Sequence, residues 1–180
     1  MNASAAYGLL AHGLIFGAFV SLLPLGELRA RAALVATALA LVAGIAPFMH
    51  GMFGMPSMTL LQLVVLQLAR PTRLAARDWR PAAGLLLVAA FFYPAALGFG
   101  SFDPYAVGYQ PWPLLVALIP LAVALWWQRL NLWLIILAID LAAYASGLFI
   151  NLWDALFDPL LCLLALFIVG RRARRRGSAR

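Results

Sequence analysis

Two carboxylates, Asp154 and Asp158, lie four residues apart in NLWDALFDPLLCLL, between apolar runs, in a chain with only six acidic residues. Two readings are open for them. Asp158-Pro159 has the form of a helix start, where a carboxylate accepts from exposed N–H groups and proline suits the first turn. A helix that begins instead at Leu152, with Asn151 as its cap, puts Asp154 and Asp158 on one face. Two ionised groups there would repel, so one would hold a proton, or a cation or a partner's arginine would lie between them. Asp103-Pro104 repeats the helix-start form in GSFDPYAVGYQPWP.

Asp140, in LIILAIDLAAYASGLF, is the deepest acid. A charge at mid-span costs about 3 kcal/mol, so an acid there is either a proton or ion site or a protonated group bonded to a neighbouring helix. Tyr144 and Gly147 follow on the same face.

A third group is MHGMFGMPSM, in which Met49, Met52, Met55 and Met58 recur every third residue around His50. Thioethers are soft donors suited to Cu(I), and imidazole adds a stronger one. The alternative is that methionine fills irregular gaps where two helices meet through a Gly/Pro turn. His12, in the outer half of the first span, is placed to approach His50. No resident cofactor is expected, and copper is the one metal these residues suit. Cys162 is the only cysteine, so neither a disulfide framework nor a thiolate cluster forms within one chain.

The elements that position these groups follow from composition. Of 180 residues, 66% are hydrophobic and 11% are charged. Soluble domains carry about 25% charged residues. A surface this poor in charge faces lipid, and the fold class expected is an all-α polytopic membrane bundle. Spanning helices need about 20 apolar residues. Candidates fall at 5–25, 32–49, 55–69, 82–101, 112–127, 131–150 and 152–170, making about seven transmembrane helices. They form one helical domain over 1–170, followed by a basic tail at 171–180. MNASAAYGLL lacks the basic start of a signal peptide, so the first segment is expected to be retained.

Arginine arbitrates the count. The chain has thirteen basic residues, all arginine. They fall at Arg29 and Arg31; at Arg70, Arg73, Arg77 and Arg80; at Arg129; and from Arg171 to Arg180. Seven spans bring every group to one side, which the positive-inside rule makes cytoplasmic. The N-terminus is then outside and the C-terminus inside. Dropping the third span would carry Arg70–Arg80 across the membrane. Trp79, Trp126, Trp127 and Trp133 then lie at the inner interface, and Tyr105, Tyr109, Trp112 and Trp153 at the outer one. Asp103, Asp154, Asp158 and His50 all map outside.

Arg171, Arg172, Arg174, Arg175 and Arg176 read as a basic anchor attracting anionic phospholipid headgroups, at about 1 kcal/mol each. Nucleic acid is not an expected partner. Gly13 and Gly17 make a G-x-x-x-G where another helix can approach closely, and Gln62 and Gln67 can bond across helices.

No HExxH, G-x-S-x-G or phosphate-cradling loop occurs. The outer face lacks an arginine for substrate phosphate. The expectation is a small non-catalytic protein of the bacterial inner membrane, an accessory or assembly subunit of a larger membrane complex concerned with the envelope. Other membrane subunits are its expected partners. Two alternatives stand beside it: a small proton- or ion-coupled transporter using Asp140, and an outer-face enzyme or copper-handling protein using His50 with Asp154 and Asp158 or the methionine row.

Overall fold

A computed structural model describes residues 2–69 and 79–177, with side chains as far as Arg174. Arg70, Arg73, Arg77 and Arg180, and the side chains of Arg175 and Arg176, lie outside the described residues. The described residues are helical, without strands. They form two compact units, Met1–Asp78 and Trp79–Arg180.

The first unit holds α1 (Ala3–Val20), α2 (Arg29–Val42), α3 (Ile45–Phe53) and α4 (Met58–Ala69). Asn2 caps α1 by accepting from Ala5 N at 2.9 Å, which satisfies one of the N–H groups a helix start leaves orphaned. The α1–α2 seam is built from small residues. Gly13 and Gly17 of α1 face Leu41, Thr37 and the Ala33 carbonyl of α2, and Ala33, Ala36 and Ala40 are buried on α2. Small side chains let backbones approach and gain dispersion contacts where lipid supplies no hydrophobic drive. The G-x-x-x-G therefore does serve a close helix pair. A Cβ on Gly17 would overlap the Thr37 hydroxyl and lie 2.7 Å from the Ala33 carbonyl oxygen.

Glycine also ends the helices of this unit. Gly44 (φ 79°) breaks the chain between α2 and α3, and Gly54 (φ 73°) ends α3. Both occupy the left-handed region that a Cβ penalises. The segments Gly26–Val42 and Ile45–Phe53 consequently meet at 73°. At the opposite end Arg29 gathers orphaned helix carbonyls. Its Nε donates to Ser21 O at 2.6 Å and its Nη2 to Gln67 O at 3.0 Å. A cation there also complements the negative ends of α1 and α4.

The second unit holds α5 (Arg80–Ala96), α6 (Trp112–Trp127), α7 (Asn131–Ala145), α8 (Leu152–Leu156) and α9 (Pro159–Gly177). Pro81 and Pro113 sit in the first turns of α5 and α6, where a missing N–H costs nothing. The α6–α7 turn is closed by Leu130 N on Leu125 O at 2.9 Å and Arg129 N on Trp126 O at 3.0 Å. This is the Schellman pairing, and it holds Arg129 at φ 59° where glycine usually stands. Helix α9 runs on through the arginines to Gly177, since arginine and alanine are strong helix formers.

Each of the seven apolar segments read from the sequence contains helix, but those at 32–49 and 152–170 are broken, and most of the helices are shorter than expected. Two stretches are long and apolar enough to cross a membrane, Ala3–Val20 and Leu152–Arg174, and a third qualifies if the bent pair counts as one. The remaining four, α4 to α7, are 12, 17, 16 and 15 residues long. At 1.5 Å per residue these reach about 18 to 26 Å, short of a ~30 Å hydrocarbon core. The surface is nonetheless apolar. Val42, Ile150, Trp127 and Phe99 are 86%, 81%, 80% and 79% exposed, among many other large apolar side chains that a water-facing surface would hide.

Candidate functional site

In the first unit, helix termination brings two histidines onto one oxygen. His12 is buried on α1, and His50 lies in the last turn of α3. Gly54, next after α3, turns its carbonyl back between them. His12 Nε2–H donates to Gly54 O at 3.0 Å, and His50 Nδ1–H donates to the same oxygen at 3.1 Å. A carbonyl only accepts, so these contacts fix which nitrogen of each ring carries hydrogen. The ring centroids are 5.9 Å apart, edge to face. Gly8 makes room for this: a Cβ there would lie 2.6 Å from His50 Nδ1. Tyr7 OH donates to Pro56 O at 3.0 Å, tying the turn after Gly54 to α1.

The approach of His12 to His50 thus matches the sequence reading. The methionines distribute along the same path, with Met49 and Met52 on α3, Met55 in the turn and Met58 opening α4. Met52 is exposed, while Met49, Met55 and Met58 are half-buried. Among the described residues no group of three or more His, Cys, Asp or Glu is placed to hold a metal ion.

In the second unit, of the two readings open for this stretch, the helix start at Asp158-Pro159 forms and the single helix from Leu152 does not. Phe157 is extended (φ −154°, ψ 132°) and separates α8 from α9, because Pro159 disfavours a helical conformation in Asp158 and lacks an N–H to continue the ladder. Asp154 and Asp158 therefore fall on different elements, and the shared face expected of them is lost. Each has its own task. Asp158 Oδ1 accepts from Leu161 N at 2.9 Å and caps α9. Asp154 accepts the Tyr105 hydroxyl at 3.1 and 3.2 Å, one distance to each carboxylate oxygen.

Asn151 is fully buried and works in both directions. Its Oδ1 accepts from Trp153 N at 2.9 Å, and its Nδ2 donates to Tyr105 O at 3.0 Å. Trp153 Nε1 adds a bond to Pro104 O at 2.8 Å. Asp103 closes a turn by accepting from Tyr105 N at 2.9 Å. A Cβ at Gly108 would overlap the Asn151 amide and lie 2.7 Å from Trp153 Cδ1. The loop at 103–108 is thereby stapled onto the helix break. Packed together there are tilted and edge-on rings, with Phe92 centred 4.7 Å from Trp153 and 5.4 Å from Phe157. Burial, followed by the nearby Asp154 charge, raises the Tyr105 phenol well above its usual range, so this hydroxyl remains a donor.

Asp140 is on α7 and 1% exposed, with Tyr144 half-buried one turn further on. At the basic end of α9, Arg171, Arg172 and Arg174 are exposed, and the Arg172 guanidinium stands 5.6 Å over the Trp79 ring. That distance suits a cation–π pair.

Several of these partners were hidden from sequence reasoning. Tyr105 was visible only as an interfacial aromatic, Gly54 only as part of a Gly/Pro turn, and Gly8 and Gly108 carried no signal beyond being glycines. The one available hint was Gly8 standing a turn before His12, since a helical glycine in an apolar span marks something packed close. Comparison with protein-family models, with curated proteins and with solved structures finds no match to this chain.

Proposed function

We propose that this chain is a multi-pass protein of the bacterial inner membrane, crossing seven times with its N-terminus outside, and that it serves as a non-catalytic accessory or assembly subunit of a larger envelope complex. The arginine pattern and the exposed apolar side chains support the membrane placement. The short helices are accommodated by a locally thinned bilayer and by association with other helices, at modest cost per ångström. One observation carries the subunit reading. Polar groups on the side assigned as outer hold structure together: Asn151 and Asp158 as caps, Asp103 in a turn, Trp153 on Pro104 O, and Asp154 on the Tyr105 hydroxyl. Catalysis needs groups aimed at a reacting atom, whereas these shape a rigid outer surface. Partners recognise that shape and the apolar flanks rather than a charge.

Native mass spectrometry of the protein, extracted gently from its own membrane, tests this. A stoichiometric second polypeptide is expected, and a chain that always appears alone would sink the subunit reading.

A second reading has one observation in its favour, the burial of Asp140 within an apolar helix. An acid in that setting suits a proton or ion path. Under it, Asp140→Asn abolishes transport by protein that still assembles; under the subunit reading, the assembled complex stays active.

A further inference from the structure

We propose that the exposed face of α9 holds one anionic phospholipid, with its phosphate on Arg171 and Arg174 and an acyl chain along Leu163, Leu166 and Phe167. The inference rests on the membrane placement above and is independent of the subunit reading. Helix α9 has two faces. Leu161 and Ala165 are buried, while Leu163, Leu166 and Phe167 are 55%, 59% and 58% exposed. At 3.6 residues per turn the outward row continues through Gly170 to Arg171 and Arg174, and both arginines are exposed. One face therefore passes from hydrocarbon to guanidinium without a break. Among the described residues nothing lies within 4 Å of where a Cβ on Gly170 would stand, so the row has open space at the join. Leu163 and Arg174 are about 16 Å apart along the axis, close to half of a ~30 Å hydrocarbon core. That is the reach of one leaflet's acyl chain beneath its phosphate.

The positive charge at this end is open to a ligand. Arg172 falls on the other side of the turn, with its guanidinium 5.6 Å over the Trp79 ring. This contact ties the end of α9 to the start of α5 and uses no N–H, so the guanidinium keeps donors for an anion. The nearest acid along α9 is Asp158, which caps its opposite end, about 20 Å from Arg171. Planar guanidinium groups match phosphate oxygens in pairs. A headgroup with net negative charge is selected over a zwitterionic one, whose own cation would meet the arginines.

Native mass spectrometry of the full chain in detergent, with equal amounts of phosphatidylglycerol and phosphatidylcholine added, tests the site. One phosphatidylglycerol per chain should be retained in preference to phosphatidylcholine. Arg171→Gln combined with Arg174→Gln should lower that preference roughly tenfold. Removing the same two charges further along, by Arg175→Gln with Arg176→Gln, should cost much less. Equal loss from the two double variants would show diffuse attraction to the basic tail and overturn the site. So would the absence of any preference in the native chain, a readout that needs no variant. Glycerol phosphate carries the anion without acyl chains and should not displace the lipid; displacement would make this a site for free phosphate and overturn the lipid as its occupant. A chain that stays in solution without detergent would remove the membrane reading itself, whereas a detergent-held chain without lipid preference removes the site alone.

Discussion

The two units solve one problem, holding apolar helices together, by opposite means. In the Met1–Asp78 unit the α1–α2 seam turns on missing side chains: Gly13 and Gly17 leave room for Leu41, Thr37 and the Ala33 carbonyl of α2. In the Trp79–Arg180 unit the helix break is held by added ones, an aromatic cluster under a set of directed hydrogen bonds. A seam of small residues has no room for growth, so its failure is steric. A staple of amides and phenols has room, but it leaves polar groups stranded when one partner goes, so its failure is electrostatic and graded. The difference orders the consequences of mutation.

The largest effect belongs at Gly17. Gly17→Leu drives a side chain into Thr37 and into the Ala33 carbonyl, which is backbone and cannot swing away. The loss should reach roughly 3 kcal/mol, the upper range for overpacking, read as an earlier midpoint in detergent unfolding of the full chain. Gly13→Ala is the internal control. Its Cβ meets the Leu41 side chain at 3.1 Å, which can give, so the loss should stay under about 1 kcal/mol. Equal losses at the two sites would break the steric account of this seam.

Next comes Asn151→Ala. It removes the α8 cap and leaves Tyr105 O, in a half-buried place, without its amide donor, which together cost roughly 2 kcal/mol. The damage should be local, appearing as faster hydrogen exchange across 103–109 while α1 and α2 keep their protection. Asn151→Asp keeps the acceptor for Trp153 N and loses only the donor to Tyr105 O, so it should fall between. Exchange that quickens through both units together would show the break to be a global element rather than a local staple.

How far these elements were legible follows from the range of the interactions that make them. The positions of the apolar helices could be read because hydrophobic runs and their Pro, Gly and Arg punctuation are local. Their lengths could not. Gly44 and Gly54 end helices inside runs that stay apolar in composition, and only the backbone reveals their positive φ. Asp158 was readable as a cap because Asp-Pro is a signal between neighbours. Its separation from Asp154 followed from the same proline, but the need for about 20 apolar residues in a span favoured a continuous helix from Leu152 up to the arginines. That argument assumed a helix ends where arginine begins, and α9 runs on through Gly177. The tertiary pairs were the least visible. Tyr105 and Asp154 are 49 residues apart, and His12 and Gly54 are 42 apart. Nothing local in either segment specifies the other. The His12–His50 approach could be anticipated only because topology put both at one end of adjoining helices.

The smallest effect is the sharpest test of the graded failure assigned to the second unit. Tyr105→Phe deletes one hydroxyl and keeps the ring against Phe92, whose centroid is 6.4 Å away. Asp154 loses the donor bridging its two oxygens, yet it is only half-buried and water can replace the phenol. A hydrogen bond of this kind is worth about 1 kcal/mol net, and less where solvent re-enters. The loop should stay in place, because Asn151 Nδ2 and Trp153 Nε1 still hold Tyr105 O and Pro104 O. Hydrogen exchange over 103–109 should therefore barely change, with a drop in stability smaller than that of Asn151→Ala. A loss as large as the amide's would mean that Asp154 depends on the phenol far more than its exposure allows. The carboxylate would then belong to a closed polar site, and the outer surface would need to be read as chemistry rather than as shape.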